Sequence, residues 1–141
     1  MTQEQLFALL ISNGNHWGGD LEELLKKRQI SFGKVQSCEQ VANALNRSQP
    51  QVIITAAELH DGTWRDIASL VEKAPAPASI IVVAENRVSR PYLSAAIDHG
   101  VFDFIHPPFV SEMQACIIQA AARDARRRRE VRELETLNFL V

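Results

Sequence analysis

The chain has 141 residues, of which 46% are hydrophobic and 23% are charged, and it carries a formal net charge of −2 at pH 7. This length supports one domain with a sizeable core, and the composition is typical of a soluble globular protein. Because the charge is nearly balanced, it excludes a general attraction to nucleic acid or to an anionic membrane surface, and we expect neither as a partner of this domain. The sequence has no apolar run of about 18 residues and no charged-then-apolar leader, so we expect a cytoplasmic protein.

Short apolar runs alternate with amphipathic segments along the chain. The central run at residues 52–55 is β-branched, follows Pro50 and is typical of a strand buried on both faces of a parallel sheet. Further runs predict strands at residues 6–11, 30–35, 80–83 and 102–105. A helix is predicted after each strand, and such alternation produces right-handed βαβ units. The sequence therefore predicts an α/β domain with a doubly wound, five-stranded parallel sheet and helices on both faces.

The last predicted helix begins at Ser111 and shows no stop signal before the chain ends. In its final turns Val131, Leu134, Asn138 and Val141 fall at heptad spacing, with Leu137 beside them. We refer to Val131, Leu134 and Leu137 as the apolar stripe. An isolated helix would leave this stripe in water, which favours a partner helix. We therefore divide the chain into a domain at residues 1–122 and a C-terminal helical extension at residues 123–141, which acts as a linker or a short coiled coil.

An arginine run at residues 126–129 lies near the start of this extension. Glutamates follow it at helical spacings, at Glu130, Glu133 and Glu135. Opposite charges three or four residues apart pair on the surface of a helix. The run therefore predicts a solvated helix whose arginines pair with these glutamates.

Three segments, at residues 50–54, 95–105 and 107–109, resemble parts of the receiver domains of bacterial response regulators. Residues 50–54, PQVII, are similar to the Pro-Asp-hydrophobic start of the family's third strand. Residues 95–105, AAIDHGVFDFI, are similar to its helix-Gly-Ala-x-Asp-Tyr-hydrophobic segment, and Pro107-Pro108-Phe109 stands where the family has Lys-Pro-Phe. The resemblance covers roughly residues 5–122. It implies a flavodoxin-like fold with strand order 2-1-3-4-5 and a cis peptide bond before Pro108.

The resemblance also implies where a phosphotransfer site would lie. In that family an acidic pair holds Mg²⁺, an Asp accepts the phosphoryl group, and a hydroxyl and a Lys contact it. The matching positions here carry none of these groups: Ser12 and Asn13 for the acidic pair, Ala56 for the acceptor (or Thr55 if the register shifts by one), Ala84 for the hydroxyl and Pro107 for the lysine. Phosphoryl transfer relies on positioning and electrostatics around a metal ion. We therefore predict a degenerate receiver, or pseudo-receiver, that is not an enzyme, binds no metal and uses no cofactor.

The resemblance implies a role in two-component, phosphorelay signal transduction. We expect this module to act without phosphorylation, through dimerisation or a protein partner such as an output domain or another signalling protein. Receivers commonly pair through their fourth helix, fifth strand and fifth helix, which predicts an interaction surface at Arg90, Tyr92, Phe104 and the apolar stripe. Phe104 occupies the family's switch-aromatic position and is interpreted as fixed core or as part of a partner surface. A homodimer is the predicted assembly.

Two other interpretations stay open. Glu58 or Asp61 could replace the missing acceptor, which would make the protein a conventional partner of a histidine kinase; otherwise we expect these exposed loop acids to be solvated only. Alternatively, the loop from Ser12 to Gly19 is rich in Gly and Asn and precedes a helix. Its N–H groups could bind the anionic part of a small ligand or nucleotide, which would make the protein a sensor.

Overall fold

The computed structural model describes residues 5–110 and 112–140, so Ser111, the predicted first residue of the last helix, lies outside the described residues. In the described ranges, strands and helices follow one another in this order: β1 (Phe7–Ile11), α1 (Gly18–Lys27), β2 (Ser31–Val35), α2 (Cys38–Ser48), β3 (Val52–Ala56), β4 (Glu58–Leu59), β5 (Gly62–Thr63), α3 (Trp64–Glu72), β6 (Ser79–Val83), α4 (Arg90–Asp98), β7 (Val101–Ile105) and α5 (Glu112–Leu140).

The main sheet has five parallel strands in the order β2-β1-β3-β6-β7. This is the predicted order 2-1-3-4-5, because β4 and β5 form a separate two-stranded antiparallel hairpin that the sequence did not predict. All five residues of β3 are buried, as expected for the central strand of a sheet covered on both faces. The predicted fold class is therefore confirmed.

Successive side chains of each strand point to opposite faces of the sheet, so the domain has two core layers. Ile54 belongs to the layer on one face and Ile53 to the layer on the other. The first layer is completed by buried residues of α1 and α5, among them Leu21, Leu25 and Ile118. The second layer is completed by buried residues of α2, α3 and α4, among them Val41, Ile67 and Ala96.

Helix α1 begins earlier than the sequence indicated. The prediction placed Gly18 and Gly19 in a flexible loop, but both lie in the first turn of α1, and Trp17 is its N-cap residue. The indole of Trp17 is only 1% exposed. Because burial of this large side chain pulls the chain onto the core, the loop after β1 is confined to residues 12–17.

Helix α5 has 29 residues and runs without interruption across the predicted boundary at residue 122. Its domain-facing side is built from small buried residues, which let the helix approach the sheet closely: Ala115, Ala121, Ala122 and Ala125. Within the described residues, no helix is both long and apolar enough to cross a membrane.

The prediction that the arginine run pairs with the glutamates after it is wrong for Arg127 and Arg128. Both guanidinium groups lie 3.0 Å from carboxylate oxygens of Asp124, which precedes them on the same helix. Arg128 also reaches the backbone of the domain. The physical reason is that α5 lies against the end of the sheet at this point, so its arginines face backbone carbonyls that the sequence alone does not show.

Candidate functional site

The carboxyl ends of the central strands bring most of the predicted site positions to one edge. Ile11 of β1 pairs with Thr55 of β3, and Ala56 pairs with Val83 of β6. Val83 in turn pairs with Ile105 of β7. The residues that end or follow these strands therefore share one edge of the sheet: Ser12, Asn13, Ala56, Ala84 and Pro107. Ligands usually bind at this edge in open α/β sheets.

Neither residue at the acceptor position offers a nucleophile to solvent. Thr55 is fully buried, and its hydroxyl donates a hydrogen bond to the carbonyl oxygen of Ala56 at 2.9 Å. Ala56 is 3% exposed and carries only a methyl group. Because neighbouring strand residues point to opposite faces, a shift of one residue would move the acceptor position to the other core layer.

Ser12 and Asn13 offer neutral groups where the resemblance implies an acidic pair. The Ser12 N–H donates to the carbonyl of Val35 at 3.1 Å, and the Asn13 N–H donates to the side-chain oxygen of Asn15 at 3.0 Å. Mg²⁺ binds through carboxylate oxygens, and neither residue has one. Among the described residues, no group of three or more His, Cys, Asp or Glu side chains is placed to hold a metal ion. This donor set does not fit Mg²⁺.

The turn after β7 is built for packing. The Pro107–Pro108 peptide bond is cis, which confirms the expectation from the resemblance. Phe109 is 3% exposed and meets the ring of Trp17 edge-on, with 6.0 Å between ring centroids. The lysine of the family is thus replaced by a cyclic, uncharged residue in a turn that holds an aromatic pair.

Two further hydrogen bonds fix this turn. The Nδ1 atom of His106 lies 2.9 Å from the carbonyl oxygen of Ala84, so this nitrogen carries the proton in the bond. The side-chain Nε2 atom of Gln114 on α5 donates to the backbone carbonyls of His106 at 2.6 Å and Pro108 at 3.0 Å. Ala84, which occupies the position of the hydroxyl residue in receiver domains, is therefore hydrogen-bonded to this turn through its own backbone carbonyl.

Asp61 is not the solvated loop acid that the sequence predicted. Its carboxylate accepts hydrogen bonds from the N–H groups of Cys38 at 3.0 Å and Glu39 at 3.3 Å, at the start of α2. The bond from Cys38 is the main cause that lowers the pKa of Asp61. Asp61 thus caps a helix that begins 23 residues earlier in the chain, and no local sequence signal announces this contact. Glu58, the other candidate acceptor, is exposed on β4.

Gly62 follows Asp61 in a turn that leaves no space for a side chain. A Cβ atom at Gly62 would lie 2.6 Å from a carboxylate oxygen of Asp66 and 2.9 Å from the sulfur of Cys38. A side chain at this position would therefore displace Asp66 and Cys38, so the close packing of the β4–β5 hairpin favours glycine.

Phe104 lies in the core beneath an aromatic cluster. It is 8% exposed, and its ring centroid is 6.1 Å from that of Tyr92. The Tyr92 hydroxyl accepts a hydrogen bond of 2.7 Å from the indole N–H of Trp64, which is 2% exposed. Phe104 therefore contributes little to the predicted interaction surface, whereas Tyr92, at 41% exposure, and Arg90 contribute to it. No sequence pattern predicted the contact between Trp64 and Tyr92.

The apolar stripe on α5 is exposed. Val131, Leu134 and Leu137 are 48%, 60% and 57% exposed, and Phe139 beside them is 90% exposed. The side chains that we predicted to pack against a partner helix are therefore exposed to solvent in the structure.

The loop from Ser12 to Gly19 borders an open cavity together with Lys34 and Val35 of β2. Because Trp17 anchors its end in the core, the loop is shorter than predicted. A ligand site at this position stays a prediction.

No family model matches the sequence, and no curated protein matches it. Many solved structures match the fold. The receiver domain of a putative Luxo repressor protein from Vibrio parahaemolyticus has a TM-score of 0.78 at 19% identity, over 91% of this chain and 98% of that chain. A two-component response regulator from Clostridium difficile has a TM-score of 0.71 at 18% identity, over 84% and 97%. The beryllofluoride-activated receiver dimer of NtrC4, a protein of Aquifex aeolicus, has a TM-score of 0.73 at 18% identity, over 84% and 98%. The chain therefore has the receiver-domain form of the flavodoxin-like fold.

Proposed function

We propose that this protein is a receiver-like signalling module of two-component signal transduction that acts through protein–protein contacts and does not accept a phosphoryl group. The observation that supports this most strongly is the chemistry of the carboxyl edge. The strands meet there as in receivers, yet the positions of the metal ligands, the acceptor, the hydroxyl and the lysine carry Ser12, Asn13, Ala56, Ala84 and Pro107. On this proposal the chain is a cytoplasmic binding module and not an enzyme.

The alternative of an unorthodox acceptor has less support. An acyl-phosphate acceptor must present a free carboxylate beside a bound cation, because the metal neutralises the charge that develops during transfer. The carboxylate of Asp61 is instead engaged by two backbone N–H groups of α2. Transfer to either oxygen would disrupt its hydrogen bond to the helix start and replace the carboxylate cap by a bulkier acyl phosphate.

Phosphoryl acceptance is tested by incubating the protein with acetyl phosphate and Mg²⁺ and measuring the intact mass. We expect no adduct. The variants Glu58→Gln and Asp61→Asn are the matched controls, because each keeps the size of the side chain and removes a candidate acceptor. An adduct on the wild-type protein that disappears in one of these variants would contradict the proposal and identify the acceptor.

We further propose that the protein forms a homodimer through the exposed stripe of α5, with Arg90 and Tyr92 of α4 as additional contact residues. Burial of each large apolar side chain contributes about 1.5–3 kcal/mol, so the stripe can offset the entropy lost on association. The beryllofluoride-activated receiver domain of NtrC4, one of the structural neighbours, is a dimer. In this arrangement residues 123–141 serve as a short coiled coil or as the link to an output element.

The dimer is tested by light scattering on the full chain at about 100 µM, a concentration at which an association free energy of about −6 kcal/mol is detectable. We expect a dimer for the wild type and a monomer for Leu134→Glu/Leu137→Glu. Thr136→Glu is the control, because it adds a charge in the same turns at a residue outside the stripe. Equal masses for all three proteins would place the contact elsewhere or exclude it.

A further inference from the structure

The amino edge of the sheet, opposite the candidate site, exposes backbone carbonyls of two segments. One segment contains Gln49 and Pro50 and leads into β3; the other contains Pro75, Pro77 and Ala78 and leads into β6. These residues lie between helices and strands, so their carbonyls are outside regular helix and sheet bonding. Backbone carbonyls of this kind need donors from elsewhere in the molecule.

Arg129 of α5 joins the two segments. Its Nε atom donates to the carbonyl of Pro77 at 2.7 Å, and its Nη2 atom donates to the carbonyls of Gln49 at 2.9 Å and Pro50 at 3.0 Å. The planar guanidinium group, with donors in fixed directions, suits such a multiple contact, whereas the ammonium group of lysine does not reproduce it.

Arg128 makes a second set of contacts on the same edge. Its Nη2 atom donates to the carbonyl of Ala78 at 3.1 Å and to the hydroxyl of Ser79 at 2.8 Å. Its Nε atom donates to Asp124 at 3.0 Å, which holds the side chain in position along α5. We refer to Arg128 and Arg129 together as the arginine clamp.

The clamp lies between the part of α5 that packs in the core and the part that carries the apolar stripe. Ala125 is fully buried, and Val131 is already 48% exposed. A helix held to its domain only up to Ala125 would fray beyond that point, because most of the stability of a helix in a protein comes from tertiary packing. The clamp adds contacts to both sheet-edge segments one turn later.

We infer that Arg128 and Arg129 are positioning residues that fasten the extended helix to the amino edge of the sheet, so that domain and extension move as one rigid body. The direction in which the extension leaves the domain is then fixed by these contacts. The claim about rigidity stands independently of the proposed dimer, whereas its consequence for presenting the stripe to a partner rests on the proposed function.

Double electron–electron resonance, which measures the distance between two spin labels, tests the inference. Spin labels are attached at Glu23→Cys on α1 and Asn138→Cys on α5, both exposed positions, in a background in which Cys38 and Cys116 are replaced by Ser. Dilution with unlabelled protein removes distances between copies. We expect one narrow distance distribution for the parent and a distribution at least about twofold broader for Arg128→Ala/Arg129→Ala, because the outer helix is released.

Arg127→Ala is the matched control, because Arg127 bonds to Asp124 on its own helix. We expect the distance distribution of Arg127→Ala to be as narrow as that of the parent. We expect the width for Arg129→Lys to fall between those of the parent and the double variant. An unchanged distribution in the double variant, with helix content unchanged by circular dichroism, would overturn the inference. If the double variant does not fold, Arg128→Ala and Arg129→Ala are measured singly against the same criterion. If the parent is monomeric while the double variant shows the expected broader distribution, that result would contradict the proposed dimer alone.

Discussion

The two edges of the main sheet differ in what holds them. At the carboxyl edge, the positions that would perform phosphotransfer carry a hydroxyl, an amide, methyl groups and a proline ring, and the nearby turn is anchored by the packing of Trp17 on Phe109. At the amino edge, Arg128 and Arg129 donate hydrogen bonds to the chain before β3 and β6. Chemistry in open α/β sheets normally belongs to the carboxyl edge. Among the described residues, the side-chain hydrogen bonds with the largest sequence separations lie at the opposite edge, where the last helix leaves the domain.

The largest effect on the free energy of unfolding is expected at the carboxyl edge, where side-chain packing holds the turn after β7. Trp17→Ala removes a side chain that is 1% exposed and leaves Phe109 beside a cavity. We expect the free energy of unfolding, measured by urea denaturation, to fall by about 3–5 kcal/mol. His16→Ala, a change at the exposed neighbouring residue, should shift it by less than about 0.5 kcal/mol. A loss below about 1 kcal/mol for Trp17→Ala would show that packing does not hold this edge.

A smaller effect is expected at the amino edge. Arg129→Ala removes the donors of three carbonyl groups. We expect the free energy of unfolding to fall by about 1.5–3 kcal/mol, the range for hydrogen bonds to charged groups. Arg127→Ala should change it by less than about 0.5 kcal/mol, because an exposed pair within one helix contributes little. Equal losses for both variants would remove the distinction between clamp and surface arginines.

A third effect depends on pH. Because the N–H of Cys38 lowers the pKa of Asp61 in the folded protein, the ionised carboxylate adds stability above its unfolded pKa, and this contribution disappears as the pH falls through the folded pKa. We expect Asp61→Ala to lower the Tm at neutral pH, and we expect the difference from the wild type to shrink as the pH falls below the usual pKa of an aspartate and through the lower pKa of Asp61 in the folded protein. Asp61→Asn keeps one acceptor but does not titrate, so its Tm should fall less. A Tm difference for Asp61→Ala that is independent of pH would contradict the assignment of this carboxylate as a charged cap.

The smallest effect concerns reactivity and leaves the fold unchanged. Burial, reinforced by the nearby Asp61, raises the pKa of the Cys38 thiol to about 11, whereas Cys116 is exposed. Alkylation requires the thiolate, so N-ethylmaleimide at neutral pH should modify Cys116 at least about tenfold faster than Cys38. Peptide mass mapping gives the two rates, and equal rates would contradict the described packing around Cys38.

The fold was predictable because it depends on local patterns. Runs such as residues 52–55 and 80–83 are β-branched and apolar, and such runs form buried strands wherever they occur. The side-chain contacts that distinguish this protein are not local. Arg129 and Gln49 are 80 residues apart in the chain, and Asp61 and Cys38 are 23 apart. No local sequence pattern predicts either pair, because each depends on which distant segments of the chain the fold brings together.

Gln51 shows the same limit at a single position. It stands where the family has an acidic residue, and the sequence assigned it no role. In the structure it is 1% exposed, and its carboxamide accepts from the N–H of Phe7 at 2.7 Å and donates to the carbonyl of Gln5 at 2.8 Å. The sequence shows that a glutamine replaces an aspartate here. It does not show that the side chain both accepts and donates a hydrogen bond, because the partners, Phe7 and Gln5, lie in and beside the neighbouring strand.

The central claim is that the carboxyl edge no longer binds or transfers phosphate, and nuclear magnetic resonance tests it most directly. Backbone amide spectra of the full chain are recorded with Mg²⁺ alone and with Mg²⁺ plus beryllofluoride, which mimics a phosphoryl group on a carboxylate. We predict identical spectra, including the amides of Ser12, Ala56, Ala84 and Phe104. Saturable shifts confined to these amides would contradict the account and show that a working phosphoryl site is present.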